Sequence, residues 1–298
     1  MRRSLPGALR FAGVCVLTSV LAACGGTKPS APPQATVGLT LNHPSAPAGS
    51  PLDLTFSFTV APGAAFTENY RVFVHVVDAD GETLWNDDHE PAVPTTSWKA
   101  GSTVTYTRSV FVPVVPYVGT ATVQVGLYSP ATQMRVTLAG GQDLGLQSYA
   151  VATLELLPQT DNLFTVFKDG WHMAETAPHD PAVEWQWTKG HATLAFRNPK
   201  KNAVLFLEYD SPQRALHGVQ HVDVSLGGTV IDRFDVEPDA APQKRRVALD
   251  AAQMGTEELT ELQFAVDAPF VPAQVTGGSS GDQRELGIRV FHAFVDPR

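Results

Sequence analysis

Residues 52–60, LDLTFSFTV, set Leu52, Leu54, Phe56, Phe58 and Val60 at every second position, with Asp53, Thr55, Ser57 and Thr59 between them. Successive side chains point to opposite faces only in an extended strand, so this segment predicts a half-buried β-strand and excludes an amphipathic helix. Tyr70, Val72, Val74 and Val76 repeat the rhythm one strand later. Residues 36–158 divide into about seven such runs separated by Gly and Pro turns, and about seven short strands over this length predict an immunoglobulin-like sandwich. In DADG, Asp80 and Gly81 suit a hairpin turn that needs positive φ, and Pro91 closes the short return strand because it has no N–H for a ladder.

Residues 159–298 carry about nine further runs, which predict a jelly-roll sandwich. SLGGTVIDRF reads as a hairpin with Gly227 and Gly228 at its turn, and LDAAQMGTEEL holds one helical turn capped by Asp250. The expected fold is all-β, with two tandem β-sandwiches, immunoglobulin-like then jelly-roll, after a lipoprotein signal peptide.

That signal is read from the first residues. Arg2, Arg3 and Arg10 precede a short apolar run, residues 11–22, which is too short to span a bilayer. The run ends in Leu21, Ala22, Ala23 and Cys24, an order that resembles a bacterial lipobox. The resemblance implies cleavage after residue 23 and acylation of Cys24. Residues 24–35, rich in Gly, Pro and Ser, then form a flexible tether. Gly25, rather than an aspartate, follows the cysteine, which implies the outer membrane of a two-membrane cell, facing the periplasm or the exterior.

Processing sharpens the charge. The full chain of 298 residues has a net charge of −9; loss of the three arginines leaves 18 basic against 30 acidic residues, a net charge of −12. Such a chain lacks the basic stripe that a phosphate backbone requires, so no nucleic-acid partner is expected. Cys15 leaves with the signal and Cys24 takes lipid, which leaves no thiol for a disulfide, a thiolate metal site or a catalytic nucleophile.

Two resemblances narrow the class. Residues 72–81, 87–91, 94–101 and 123–130 resemble small β-sandwich modules found beside bacterial membrane glycosyltransferases and in surface lipoproteins. Residues 170–175, 185–199, 269–274 and 281–295 resemble galactose-binding-like jelly-roll domains of bacterial cell-surface proteins. The second implies a glycan ligand or a spacer role, between which a fold alone does not choose.

Candidate chemistry is sparse. WNDDHEP packs Asp87, Asp88, His89 and Glu90 together, but adjacent carboxylates on an extended chain point apart and the calcium-loop spacing is absent, so a solvated acidic loop is expected. His75 is expected to be a hydrogen-bonding partner beneath that loop, and Trp85 and Trp98 to lie at the rim of the core. Trp171, Trp185 and Trp187 are the sugar-stacking candidates; core packing is the alternative, since large aromatics dominate sandwich interiors. Arg284, with Asp282 and Glu285 beside it, holds either a sugar hydroxyl or a structural carboxylate pair that closes the 277–281 loop. His217 and His221 stand four apart, a spacing that loses its helical meaning where the chain enters a strand. HExxH, GxSxG and P-loop signatures are absent from the sequence. No metal and no cofactor are expected, and no enzyme. The sequence points to a membrane-anchored, non-catalytic binding or accessory lipoprotein of the cell envelope with a glycan ligand. The alternatives are an assembly subunit of an envelope complex, whose partner is a protein, and, more weakly, a polysaccharide hydrolase.

Overall fold

The computed structural model describes residues 31–212 and 219–298, and residues 33–298 form one compact unit. Cys24, the lipobox and His217 lie outside the described residues. Ten strands build the first sandwich: β1 (Ala35–Leu41), β2 (Ser45–Pro47), β3 (Pro51–Val60), β4 (Arg71–Val77), β5 (Thr83–Asn86), β6 (Thr103–Phe111), β7 (Gly119–Tyr128), β8 (Leu138–Ala139), β9 (Gln142–Asp143) and β10 (Tyr149–Leu157). One sheet runs β6-β3-β1-β8; the other runs β2-β10-β7-β4-β5, with β9 also on β10. The alternation in β3 lands as predicted: Leu52, Leu54, Phe56, Phe58 and Val60 are buried, facing Val72, Val74, Val76, Val123, Val125 and Leu127 of the second sheet. Each such side chain contributes about 1.5–3 kcal/mol by leaving water. On the outer face, Thr55 meets Thr107 at 2.8 Å and Thr59 meets Thr103 at 2.9 Å, cross-strand pairs of the kind that fix register.

The acidic stretch is not a solvated loop. Asp87 accepts two hydrogen bonds from Arg108, at 2.8 and 2.6 Å. His89 is buried, with its Nδ1 2.8 Å from the Asp87 carbonyl and its Nε2 2.9 Å from the Tyr106 hydroxyl, and its ring packs 5.2 Å from Phe56. Asp88 accepts from the Val74 N–H and lies 3.8 Å from His75. Arg108 and Tyr106 belong to β6 of one sheet, whereas residues 87–89 continue β5 along the edge of the other, so this cluster clasps the two sheets along one side. Burial and the Arg108 charge hold the His89 imidazole below its ordinary pKa, against the opposing pull of Asp87 and Asp88; burial likewise pushes the Tyr106 hydroxyl upward. Trp98 is buried against Phe58 and Phe66, and Trp85 is half-buried against the same core.

The second sandwich follows a 3-10 turn at Gln159–Asp161 and contains β11 (Thr165–Phe167), β12 (Glu175–Ala177), β13 (Asp180–Trp187), β14 (His191–Arg197), β15 (Ala203–Asp210), β16 (Gln220–Leu226), β17 (Thr229–Val236), β18 (Gln243–Leu249), β19 (Leu259–Val266) and β20 (Arg289–Pro297). Its sheets run β11-β14-β19-β16-β17 and β12-β13-β20-β15-β18. Leu194, Phe196, Val222, Val224, Leu262 and Phe264 of the first meet Leu205, Leu207, Tyr209, Val247, Val290 and Val295 of the second. Gly227 and Gly228 turn the β16–β17 hairpin with φ of 57° and 79°, values that L side chains rarely adopt. Asp250 caps a single helical turn, Ala251–Met254, by accepting from the Ala252 N–H at 2.7 Å. His221 lies in β16 and pairs with Asp235 across the hairpin.

Two measurements check the sheet clasp. Replacing Asp87 and Asp88 together by Asn removes the charge that Arg108 neutralises; a loss of about 2 kcal/mol in chemical denaturation is expected, against about 0.5 kcal/mol for an ordinary surface change. The pH dependence has a definite sign. The folded state favours neutral His89, so the unfolded chain takes up protons first, and stability present above about pH 6.5 is lost as the pH falls below it. His89→Gln is expected to flatten that fall in denaturant titrations between pH 7 and 5.

Candidate binding cleft between the two sandwiches

The sheet β12-β13-β20-β15-β18 has an apolar inner face and an outer face that mixes large aromatic with charged side chains. Leu205, Leu207 and Val295 point into the sandwich. On the other side of the same strands lie Phe206 opposite Phe294, Glu208 opposite His292, and Asp210 opposite Arg289. A register shift between Glu208 and Tyr209 places one extra residue in β20, so that Phe291 and His292 both reach the outer face. β13 adds Trp187 opposite Arg289, with Trp185 two residues away on the same side.

Much of this outer face is covered. Arg246 and Arg298 lie over the Phe206 ring at 5.0 and 5.8 Å, and Arg289 lies 4.8 Å from Trp185 and 5.2 Å from Phe291 while bonding Asp210 at 2.7 and 2.6 Å. The first sandwich covers another part. Phe111 stacks on His292, centroids 4.3 Å apart and planes 9° apart. Lys244 donates to the Ser109 carbonyl at 2.5 Å, and Arg246 bonds Asp53 and Ser109. Asn162 donates to the Ala48 carbonyl at 2.6 Å.

The rest of the face stays open. It forms the floor of a cleft of about 1200 Å³, made of Val183, Glu184, Glu208 and residues 291–294. The walls are Gly49 and residues 111–114 of the first sandwich, Pro242, and residues 159–160 and 162–165 with Phe167 of the connecting segment. Phe164 is 68 % exposed and Val114 65 %, an unusual state for large apolar side chains that share one concave surface. Asn162 Oδ1 is buried without a donor. Burial pushes the Glu208 carboxyl upward, but the His292 hydrogen bond at 2.8 Å and the charges of Lys244 and His292 outweigh it, so its pKa lies below the ordinary value. The cleft therefore combines aromatic faces with an anionic acceptor, an imidazole and an amide.

The tryptophans flagged in the sequence are differently placed. Trp171 is half-buried, edge-on to Phe167 and Phe264, and its Nε1 donates to the Thr193 carbonyl at 2.9 Å. Trp187 is buried with Phe270 and Leu286. Trp185 is half-buried next to Phe291, centroids 6.0 Å apart, at the border of the cleft, and its Nε1 is buried without an acceptor. Arg284 bonds Asp282 at 2.8 Å and Glu175 at 2.5 Å, and it pulls the Asp282 carboxyl down while its own pKa rises. Its guanidinium is thus committed to carboxylates of its own chain. The cleft residues Phe111, Asn162, Phe164, Phe291, His292 and Phe294 carry no motif; the available signal was the last strand, RVFHAFV, which has no consistently polar face. Among the described residues, no group of three or more metal-ligating side chains comes together.

No family model matches the chain, and no curated protein matches it. Solved structures with some likeness include a carbohydrate-binding module with its adjoining domain from Clostridium perfringens, 10 % identical over 62 % of this chain and 38 % of that one, TM-score 0.26. An exo-β-1,3-galactanase from Phanerochaete chrysosporium is 12 % identical over 86 % of this chain and 56 % of that one, TM-score 0.28. An alkylpurine DNA glycosylase from Pseudomonas fluorescens is 16 % identical over 42 % and 30 %, TM-score 0.28. The chain spans about a third of the length of the first two of these matches, the glycosylase (30 %) and the Clostridium module (38 %).

Proposed function

We propose that the protein is a lipid-anchored, non-catalytic binding module of the cell envelope that takes an oligosaccharide in the cleft between its two sandwiches. The observation that carries the reading is the cleft itself: exposed Phe164 beside Phe291 and Phe294, with Glu184, Glu208, His292 and Asn162 around them. A pyranose presents an apolar C–H face, which suits an aromatic ring, and an equatorial fringe of hydroxyls, which suits carboxylate and amide acceptors. Hydrolysis of the glycan asks for a carboxyl held protonated near neutral pH, and Glu208 is shifted the opposite way by His292 and Lys244. The anchor rests on the order of positive charge, apolar run, small residues and Cys24 in the sequence.

The exposed apolar rim of Phe164, Val114 and Val183 favours a second reading, an assembly subunit whose protein partner lays an apolar segment into the cleft. One titration separates the two. The full chain is titrated calorimetrically with neutral oligosaccharides of glucose, galactose and N-acetylhexosamine. Binding of at least one is expected, weakened about tenfold, or about 1.4 kcal/mol, by Phe164→Ala, with an unchanged melting temperature because that side chain is largely in solvent. Binding that Phe164→Ala leaves intact puts the sugar elsewhere; no binding across the panel leaves the protein-partner reading.

A further inference from the structure

The end of the first sandwich opposite the cleft has its own exposed apolar side chains. β1 starts there: Ala35 pairs with Val60 and Leu138, and the Gln34 N–H donates to the Thr137 carbonyl at 2.9 Å. β7 ends there at Tyr128, and the loop after it exposes Met134. The turn between β9 and β10 is at the same end and exposes Leu144 and Leu146, the latter at 85 %. The Arg135 guanidinium donates to the Leu146 carbonyl at 3.0 Å and ties the two loops together. Val93 is exposed on a third loop of this end, which Thr95 binds to the Glu68 carbonyl.

Leu146 is the telling residue. Gly145, Leu146 and Gln147 all have positive φ, at 85°, 50° and 51°. A branched aliphatic side chain gains nothing within the fold from a left-handed backbone that holds it out in water. Such tips make sense where another apolar phase meets them. The chain itself says which: only eight residues separate Cys24 from Pro33, and the nine steps between them, fully extended, reach about 30 Å. An acylated Cys24 would keep this end, not the cleft end, beside the bilayer.

We infer that Met134, Leu144 and Leu146 form a membrane-contacting tip, which dips into the lipid interface and directs the cleft away from the bilayer. The inference rests on acylation of Cys24.

The test places a single environment-sensitive fluorophore on Leu146→Cys or Met134→Cys, and on Leu259→Cys of the second sandwich as a control, in the full chain. The processed protein is reconstituted in phosphatidylcholine–phosphatidylglycerol vesicles, and acylation is read separately by fatty-acid incorporation. Labels at 146 and 134 are expected to shift to the blue and to lose at least half of their emission to nitroxide-bearing lipids, with little quenching by iodide; the label at 259 should do the reverse. If the protein is acylated and the 146 and 134 labels behave like the 259 label, the tip is overturned and the anchor stands. Protection of these labels from both quenchers means that a second copy covers the end, which also overturns the inference. A chain that incorporates no fatty acid removes the anchor and the tip together.

Discussion

A β-sheet with apolar side chains on both faces has to be covered twice, and that constraint organises the second half of this protein. The inner face of β13-β20-β15-β18 is closed by its partner sheet, as in any sandwich. The outer face carries Trp185, Phe206, Phe291 and Phe294, which the partner sheet does not reach. Arginines supply part of the cover through Arg246, Arg289 and Arg298, whose planar cations lie over aromatic rings while their charge goes to carboxylates such as Asp53 and Asp210. Phe111 of the first sandwich supplies more by stacking on His292. What remains uncovered is the cleft. The proposed binding cleft and the contact between the sandwiches are thus two uses of one surface.

Polar clusters in this molecule stabilise structure more often than they offer chemistry. The acidic stretch at 87–90 has the composition of a site but is consumed by its own neighbours, since Asp87 is neutralised by Arg108 and His89 is held between a carbonyl and Tyr106. Arg284 is spent in the same way between Asp282 and Glu175. Glu208 differs because it lies in an open cleft, yet His292 and Lys244 keep it anionic, a state suited to accepting hydroxyl hydrogen bonds rather than to donating a proton.

How much was legible in the sequence follows from these interactions. Long strands such as β3 and β7 were legible because each buries one face, and period two records that directly. The hairpin at Gly227–Gly228 and the Asp250 cap were legible because their backbone geometry demands those residue types. β2, β8, β9 and β12 were not, because two or three residues carry no period. The acidic loop was misjudged because Arg108 lies 21 positions from Asp87, and no local pattern announces the pairing. The cleft escaped for two reasons. The bulge in β20 turns Phe291 and His292 to the same side, which breaks the alternation where it mattered, and the remaining walls come from segments that meet only when the two sandwiches touch. The tryptophans drew attention as large aromatics, yet Trp187 serves the packing around Phe270 and only Trp185 borders the open surface.

The central claim is that the uncovered part of this two-faced sheet is where the ligand binds. Amide hydrogen exchange on the full chain, with and without a saturating neutral oligosaccharide, tests it most directly, because it maps protection along the whole backbone without altering a residue. The account predicts new protection concentrated in residues 111–114, 162–165 and 291–294, the segments that meet around the cleft. Protection confined to the loop at 276–284 and the neighbourhood of Trp171, with these three segments unchanged, would contradict it.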